Sequence, residues 1–201
     1  MTSHAPGPEQ LSEKLPVLLL PTVIVLASGR GERFRAAGGT GSKLQAMLVD
    51  QSVLGHTLDA VRASGLPWHL EDAGHPGMGD SIAAAVRATK DAVGWLILPG
   101  DLPLVQSATL RAVAAALSAT TRAAQPCFRS ERGHPVGFAA ACFAELSSLQ
   151  GNLGAAPVLR ALRETGAVAN VEVNDIGIVT DIDTPEALAQ AERLLLARRA
   201  S

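Results

Sequence analysis

Tyrosine is absent from this chain of 201 residues, and aromatic side chains make up only 3% of it. Positive charge is equally sparse: 17 Lys and Arg against 19 Asp and Glu give a formal net charge of −2, with no long basic run. A nucleic-acid surface needs a basic stripe or rings for stacking, and neither is visible. Cysteine is limited to Cys127 and Cys142. Their separation fits no metal motif, so both read as reduced core or near-core residues of a cytoplasmic protein. No apolar run is long enough to span a bilayer. Leu15 to Ala27 is the one stretch that mimics a targeting signal, but Glu9 and Glu13 precede it and Pro16 and Pro21 interrupt it. A buried first strand explains it better.

What is present favours one α/β domain. The chain is 47% hydrophobic and 18% charged, and its alanine- and leucine-rich segments alternate with short Val/Ile/Leu runs. Residues 1–16 read as a flexible leader and 17–201 as a single domain. Strands are expected at Thr22–Ala27, Trp68–Leu70, Trp95–Leu98, Gln125–Phe128, Val136–Ala139, Val168–Val173 and Ile176–Thr180. Helices are expected at Leu54–Ala63, at Ile82–Lys90 with Asp80 or Ser81 as cap, and from Ser107 to about Leu117. Two helical pieces follow near Ala140–Leu149 and Ala155–Thr165. A final helix opens at Asp183-Thr184-Pro185-Glu186, where a cap residue, an early proline and an acid stand together. Residues 29–43 carry too many glycines for a regular helix and form a long loop with one turn near Glu32–Ala36.

That loop is the most informative segment. Leu26-Ala27-Ser28-Gly29 ends a strand, Gly31 and Arg33 follow, and Lys43 closes the run. Bare backbone N–H groups at the carboxyl edge of a parallel sheet, joined by two cations, suit a polyphosphate. The segment fits two other nucleotide motifs poorly. Phe34 stands where a dinucleotide fingerprint needs a third small residue, and Ser42-Lys43-Leu44 lacks the Gly-Lys-Ser/Thr order of a P-loop. Asp101, just after a buried strand, can hold Mg²⁺ against substrate phosphates or serve as a turn residue before Pro103. Asp181 and Asp183 lie at another junction and point to one side if the segment is extended; Asp183 also suits a helix cap. Gly77-Met78-Gly79-Asp80-Ser81 offers N–H groups at a helix entry. Arg132-Gly133-His134-Pro135 joins two strands, where His134 is either a substrate contact or a structural residue. His4, His56, His69 and His75 show no metal spacing.

Taken in order, these segments resemble the MobA-like nucleoside triphosphate transferases, and among them the molybdenum-cofactor cytidylyltransferases. The likeness runs from about Thr22 to the last helix. It rests on Leu26-Ala27-Ser28-Gly29 with Arg33 and Lys43, on Gly77–Ser81, on Gly100-Asp101-Leu102-Pro103, on Arg132-Gly133-His134-Pro135-Val136, and on Asp181-Ile182-Asp183-Thr184-Pro185-Glu186. The chain departs from the pattern in four places. The loop from Gly29 to Lys43 is longer, and the segment from Gly65 to Gly77 lacks a strand–helix unit. Asn152 replaces an acid, and Ser28 is neither of the residues usual at its position.

The resemblance implies a three-layer α/β/α fold with a mostly parallel, Rossmann-like sheet of the nucleotide-diphospho-sugar transferase type. It implies a nucleotidyltransferase that moves CMP from CTP onto the phosphate of a molybdopterin-type cofactor and releases pyrophosphate, with a molybdoenzyme as recipient. Arg33, Lys43 and Asp101 are then catalytic, and Asp101 and Asp183 hold Mg²⁺. Leu26, Ala27, Ser28, Gly29, Gly31, Arg33, Lys43, Gly77, Met78, Gly79 and Ser81 bind the nucleotide. Because the first loop and Asp101 account for the triphosphate, Arg132, Gly133, His134 and Pro135 are left for the acceptor. The side chain of Ser28 narrows the space for a purine. Two other readings stand beside this one: a sugar-phosphate or small phosphate-ester nucleotidyltransferase of the same fold, and a non-catalytic nucleotide- or cofactor-binding chaperone.

Overall fold

The strand β1 (Thr22–Leu26) sets the plan of the molecule, because its residues alternate between two buried faces. Val23 and Val25 pack on one side of the sheet, and Ile24 packs on the other. A strand buried on both faces needs a layer of helices above and below it. The computed structural model describes residues 19–29 and 31–200. The leader expected at 1–16 lies outside the described residues.

Along the chain, β1 leads to a short helix, α1 (Glu32–Ala36), and to a two-stranded ribbon of β2 (Met47–Leu48) and β3 (Gln51–Ser52). Helix α2 (Val53–Ser64), strand β4 (Trp68–Glu71), helix α3 (Met78–Ala88) and strand β5 (Gly94–Pro99) follow. Helix α4 (Ser107–Ala115) precedes β6 (Ala123–Phe128), β7 (Glu131–Arg132) and β8 (Val136–Ala139). The chain closes with α5 (Phe143–Ser147), α6 (Ala156–Glu164), β9 (Val168–Glu172) and α7 (Pro185–Arg199).

Among the described residues seven strands form the main sheet in the order β4-β1-β5-β8-β6-β7, with β9 paired to β6. β4, β1, β5, β6 and β9 run one way, and only β8 and β7 are reversed. Val61 of α2 and Leu110 and Val113 of α4 cover the face that carries Val23, Val25, Leu96 and Leu98. Ile82 and Val86 of α3, Leu146 of α5 and Leu159 and Leu162 of α6 cover the opposite face, with Ile24, Trp95, Ile97 and Phe138. The result is the expected three-layer, mostly parallel α/β/α fold. A separate apolar cluster ties Phe34 of α1 to Leu48, Ile182 and Leu195 of α7, and so anchors the first loop to the end of the chain. Cys127 and Cys142 are buried and unpaired.

Several elements differ from the sequence expectation. Ile176–Val179 is a 3-10 turn and not a strand, because the buried Asp175 carboxylate accepts from the N–H of Gly177 at 2.9 Å and folds the backbone back. Helix α3 begins at Met78, earlier than expected, with Gly77 as an unassisted N-cap. Asp80 lies within its first turn and accepts from Gly151 N–H instead. Ser107 is the first residue of α4 and not its cap; the preceding N–H, that of Gln106, donates to Asp175 at 2.9 Å. The helix expected at Ala140–Leu149 splits into a 3-10 turn at Ala140–Cys142 and the short α5. Among the described residues β4 has one strand partner, β1, in keeping with the missing strand–helix unit.

Asp175 joins α4 to the segment that leads to Asp181 and Asp183, since it also accepts the Thr109 hydroxyl at 2.6 Å. Asp175→Ala strands this buried hydroxyl and two N–H groups. It is expected to lower unfolding stability by at least about 2 kcal/mol in urea titrations. A loss under about 0.5 kcal/mol would contradict this account of the turn.

Candidate active site

The carboxyl ends of β4, β1 and β5 lie side by side, with Glu71 in register with Leu26 and Leu26 with Pro99. Open α/β sheets bind ligands at such an edge. The long loop after β1 returns to it: Phe34 of α1 is buried against the α7 cluster, and Lys43 comes back beside Gly31. Lys43 Nζ lies 2.5 Å from Asp101 Oδ2 and 2.7 Å from Asp183 Oδ1. Arg33 reaches the other Asp183 oxygen at 2.6 Å from a largely exposed position. Asp183 is thus committed to the cations, and Thr184 caps α7 by accepting from Ala187 N–H at 3.1 Å. Asp181 and Asp183 face the same cleft, but from irregular backbone and not from a strand. The N–H of Ile182, between them, donates to the Asp101 carbonyl at 3.0 Å and fixes the two acidic segments together.

The electrostatics follow from this clustering. Burial pulls the Lys43 ammonium down, but the charge and hydrogen bond of Asp101, then those of Asp183, outweigh it and hold the group above its ordinary range. Burial acts to raise the Asp183 carboxyl, yet Lys43 and then Arg33 hold it below the usual carboxylate range. Among the described residues Asp181 has no comparable partner. Burial, with added repulsion from Asp183 and Asp101, pushes it up. The Lys43 ammonium marks the point on which the Asp101 and Asp183 carboxylates converge, so the donor set suits a cation there. Among the described residues no three His, Cys, Asp or Glu side chains form a metal cluster. Mg²⁺ needs only one or two carboxylates when phosphates and water complete its shell.

Two clefts meet at this point. One, of about 470 Å³, is lined by Leu26, Ser28, Gly29, Gly77, Met78 and Ser81 and ends on Lys43 and Asp101. In it the Ser28 and Ser81 hydroxyls are 3.0 Å apart, and Ser81 donates to the Gly77 carbonyl. The other, of about 580 Å³, shares Lys43 and Asp101 and runs past Gly31, Arg33, Arg132, Gly133, His134, Asp181 and Asp183. Ala27, Gly79 and Pro135 line neither cleft. Ala27 N–H is bonded to the Glu71 carbonyl, Gly79 N–H to Gly151, and Pro135 is buried at the head of β8.

The Arg132–Pro135 loop is built more tightly than its sequence suggests. A side chain at Gly133 would collide with the Ile178 carbonyl oxygen, so the close approach this glycine allows is to the protein's own backbone and not to a flat ligand ring. Gly133 N–H donates to Pro126, and His134 N–H donates to Ile178. Burial pushes the His134 imidazole down, against weaker pulls from the Ile97 backbone, Asp101 and Asp181. It is therefore uncharged at neutral pH, and its buried Nδ1 has no hydrogen-bond partner among the described residues. Arg132 stays exposed at the cleft rim.

Several cleft residues are missing from the site residues expected from the sequence. Glu32 lines both clefts from the start of α1, while His75 and Asn152 line the first. Asn152 comes from a distant loop that locks onto the entry of α3, where its Oδ1 would meet a side chain at Gly77 at 2.8 Å. No local pattern marks Glu32 or His75 as a ligand contact, whereas Asn152 is visible as a departure from the family pattern.

Residues 58–168 match the MobA-like NTP transferase domain. The chain belongs to this family. The matched segment holds Gly77–Ser81, Asp101 and Arg132–Pro135, while Arg33, Lys43 and Asp183 lie outside it. The purine catabolism protein PucB of Bacillus subtilis (strain 168) is 31% identical over 129 residues, which are 63% of this chain and 62% of that protein. A nucleotidyl transferase from Methanothermobacter thermautotroptrophicus superimposes with a TM-score of 0.72 at 20% identity, over 89% of this chain and 99% of the other. Rv0371c of Mycobacterium tuberculosis H37Rv, in complex with manganese, gives 0.64 at 22% identity, over 87% and 98%. These two structures share the fold.

The opposed shifts of the two acids predict opposite mutational signs. The depressed Asp183 carboxyl stabilises the folded state above its ordinary value of about 4, and that contribution disappears as pH falls through the folded value. The raised Asp181 carboxyl acts in reverse, since its ionised form is disfavoured by folding. At pH 7 without metal, Asp183→Asn is expected to lower unfolding stability, by about 1 kcal/mol, and Asp181→Asn to raise it. Thermal scans in EDTA test this, and the same sign for both would contradict the assigned charges.

Proposed function

We propose that the protein is a nucleotidyltransferase that moves a nucleoside monophosphate, CMP from CTP, onto the terminal phosphate of a molybdopterin-type cofactor. The observation that carries this reading is the meeting of two separate clefts at Lys43 and Asp101. A transfer between two bound substrates needs such a junction, whereas a single-ligand carrier does not. The first cleft, with its glycine loop and the N-terminus of α3, suits a triphosphate. The second, with the exposed guanidinium of Arg132 and the neutral imidazole of His134, suits a phosphate joined to a flat polar ring system.

The reaction needs no protein nucleophile. An oxygen of the acceptor phosphate forms a bond to the α-phosphorus of CTP, the bond from that phosphorus to the bridging α–β oxygen breaks, and pyrophosphate leaves with the electron pair. The chain's contribution is to align the two phosphates and offset their charge. Lys43 and Arg33 are the groups within reach of the triphosphate. A divalent cation held by Asp101 and Asp183 would supply further neutralisation of the triphosphate oxygens. With its two carboxylate partners shared with such an ion, Lys43 would be free to turn toward phosphate. Ser28 fits the choice of base: its hydroxymethyl group projects into the first cleft and is tied to Ser81.

Incubation with each of the four triphosphates, Mg²⁺ and molybdopterin is expected to release pyrophosphate with CTP only when the acceptor is present. Asp101→Ala, checked for folding by circular dichroism, is expected to cut this release at least about 100-fold. Undiminished release by the folded variant would remove Asp101 from the site, and release that needs no molybdopterin would point to another phosphate ester as acceptor.

In competition, CTP is expected to be used about tenfold better than GTP, and Ser28→Gly to narrow that difference. A wild-type preference for GTP would refute the steric argument from Ser28.

A further inference from the structure

Beside the first cleft lies a side-chain pair that the transfer chemistry does not use. Glu71, the last residue of β4, buries its carboxylate, and Oε1 accepts from Ala73 N–H at 3.2 Å and from His75 Nε2 at 3.1 Å. Its other oxygen stands 3.6 Å from His69. His75 lines the cleft together with Ser28 and Ser81. The Glu71 carbonyl also accepts from Ala27 N–H at 2.8 Å, so the pair is fastened to the loop that begins at Ser28.

The sheet order says which part of a nucleotide would lie there. β5, which leads to Asp101, and β4, which ends in Glu71, flank β1 on opposite sides. Two strand spacings separate them, about 10 Å. A nucleotide whose phosphates sit over Lys43 and Asp101 therefore lays its base over the β1–β4 end. A carboxylate can only accept, so His75 Nε2 donates to Glu71. In the neutral imidazole Nδ1 is then an acceptor, and it has no partner among the described residues.

We propose that His75, with its proton held on Nε2 by Glu71, accepts a hydrogen bond from the exocyclic amino group of the bound base and so selects cytosine over uracil. Glu71 is the positioning residue. The inference rests on the nucleotide reading of the cleft and adds to it the group that reads the pyrimidine 4-position. Cytosine offers an amino donor there. Uracil offers a carbonyl oxygen, which would face the Nδ1 lone pair. Ser28 limits the size of the base, and His75 tells apart the two bases that fit.

Calorimetric titration of the full chain with CTP and with UTP, in Mg²⁺ and without acceptor, tests this. Wild type is expected to bind CTP roughly tenfold more tightly than UTP, the size of one hydrogen bond. His75→Ala is expected to bring the two affinities together, by weakening CTP and relieving the lone-pair conflict with UTP. Glu71→Gln can donate as well as accept, so it no longer fixes the proton on Nε2. It is expected to narrow the CTP:UTP ratio, which a merely structural loss would not move. Wild-type affinities within about twofold of each other would overturn the proposal, as would variants that weaken both ligands alike. Failure to bind any triphosphate would overturn the nucleotide reading itself, and this inference with it.

Discussion

The ammonium of Lys43, bonded to the carboxylates of Asp101 and Asp183, is the interaction on which the site depends. It joins three distant segments: the loop after β1, the end of β5 and the approach to α7. The Lys43 and Asp101 side chains are each only 13% exposed, so neither charge is well solvated. Ion pairs of this kind give up much of their attraction to desolvation and are weak sources of stability. Their value here is positional. Removing either partner would leave a poorly solvated charge, which restrains the arrangement until a cation or a phosphate replaces the missing member.

The rest of the fold makes that convergence possible. Alternation along β1 and β5 buries both faces of the sheet and leaves the strand ends as the place where polar groups can gather. The apolar cluster of Phe34, Ile182 and Leu195 brings the first loop and the last helix to the same side, so Arg33 and Asp183 meet although 150 residues separate them. Asp175 holds the turn that precedes Asp181, and the Ile182 N–H ties that segment to the Asp101 carbonyl. The loop that carries Gln150, Gly151 and Asn152 closes the other end of the cleft against the entry of α3. It does so through backbone contacts at Gly77 and Gly79 that leave no room for a side chain.

Much of the fold was legible because strand alternation and helix spacing are local signals. β1, β5, β8 and α2 fall within one or two residues of expectation. The turn at Ile176–Val179 was misread as a strand because its apolar run has strand composition, and only the Asp175 side chain, reaching Gly177 and α4, decides otherwise. The residues of the charged centre were legible through their order along the chain. Their pairing was not, since Lys43 lies at the end of an irregular loop whose return depends on Phe34 packing. The Glu71–His75 pair had no sequence signal at all, because its meaning comes from the place of β4 beside β1. The role of Gly133 was likewise hidden, as the group it accommodates is the carbonyl of Ile178.

The central claim is that Asp101 and Asp183 hold a divalent cation against a triphosphate lying over Lys43. The most direct measurement is calorimetric titration of the chain with a non-hydrolysable CTP analogue, with and without Mn²⁺. Wild type is predicted to bind the analogue at least about tenfold more tightly with the ion, and Asp101→Asn and Asp183→Asn to lose that gain while still binding the metal-free analogue. An equal gain from Mn²⁺ in wild type and both variants would contradict the account and remove the two carboxylates from the metal.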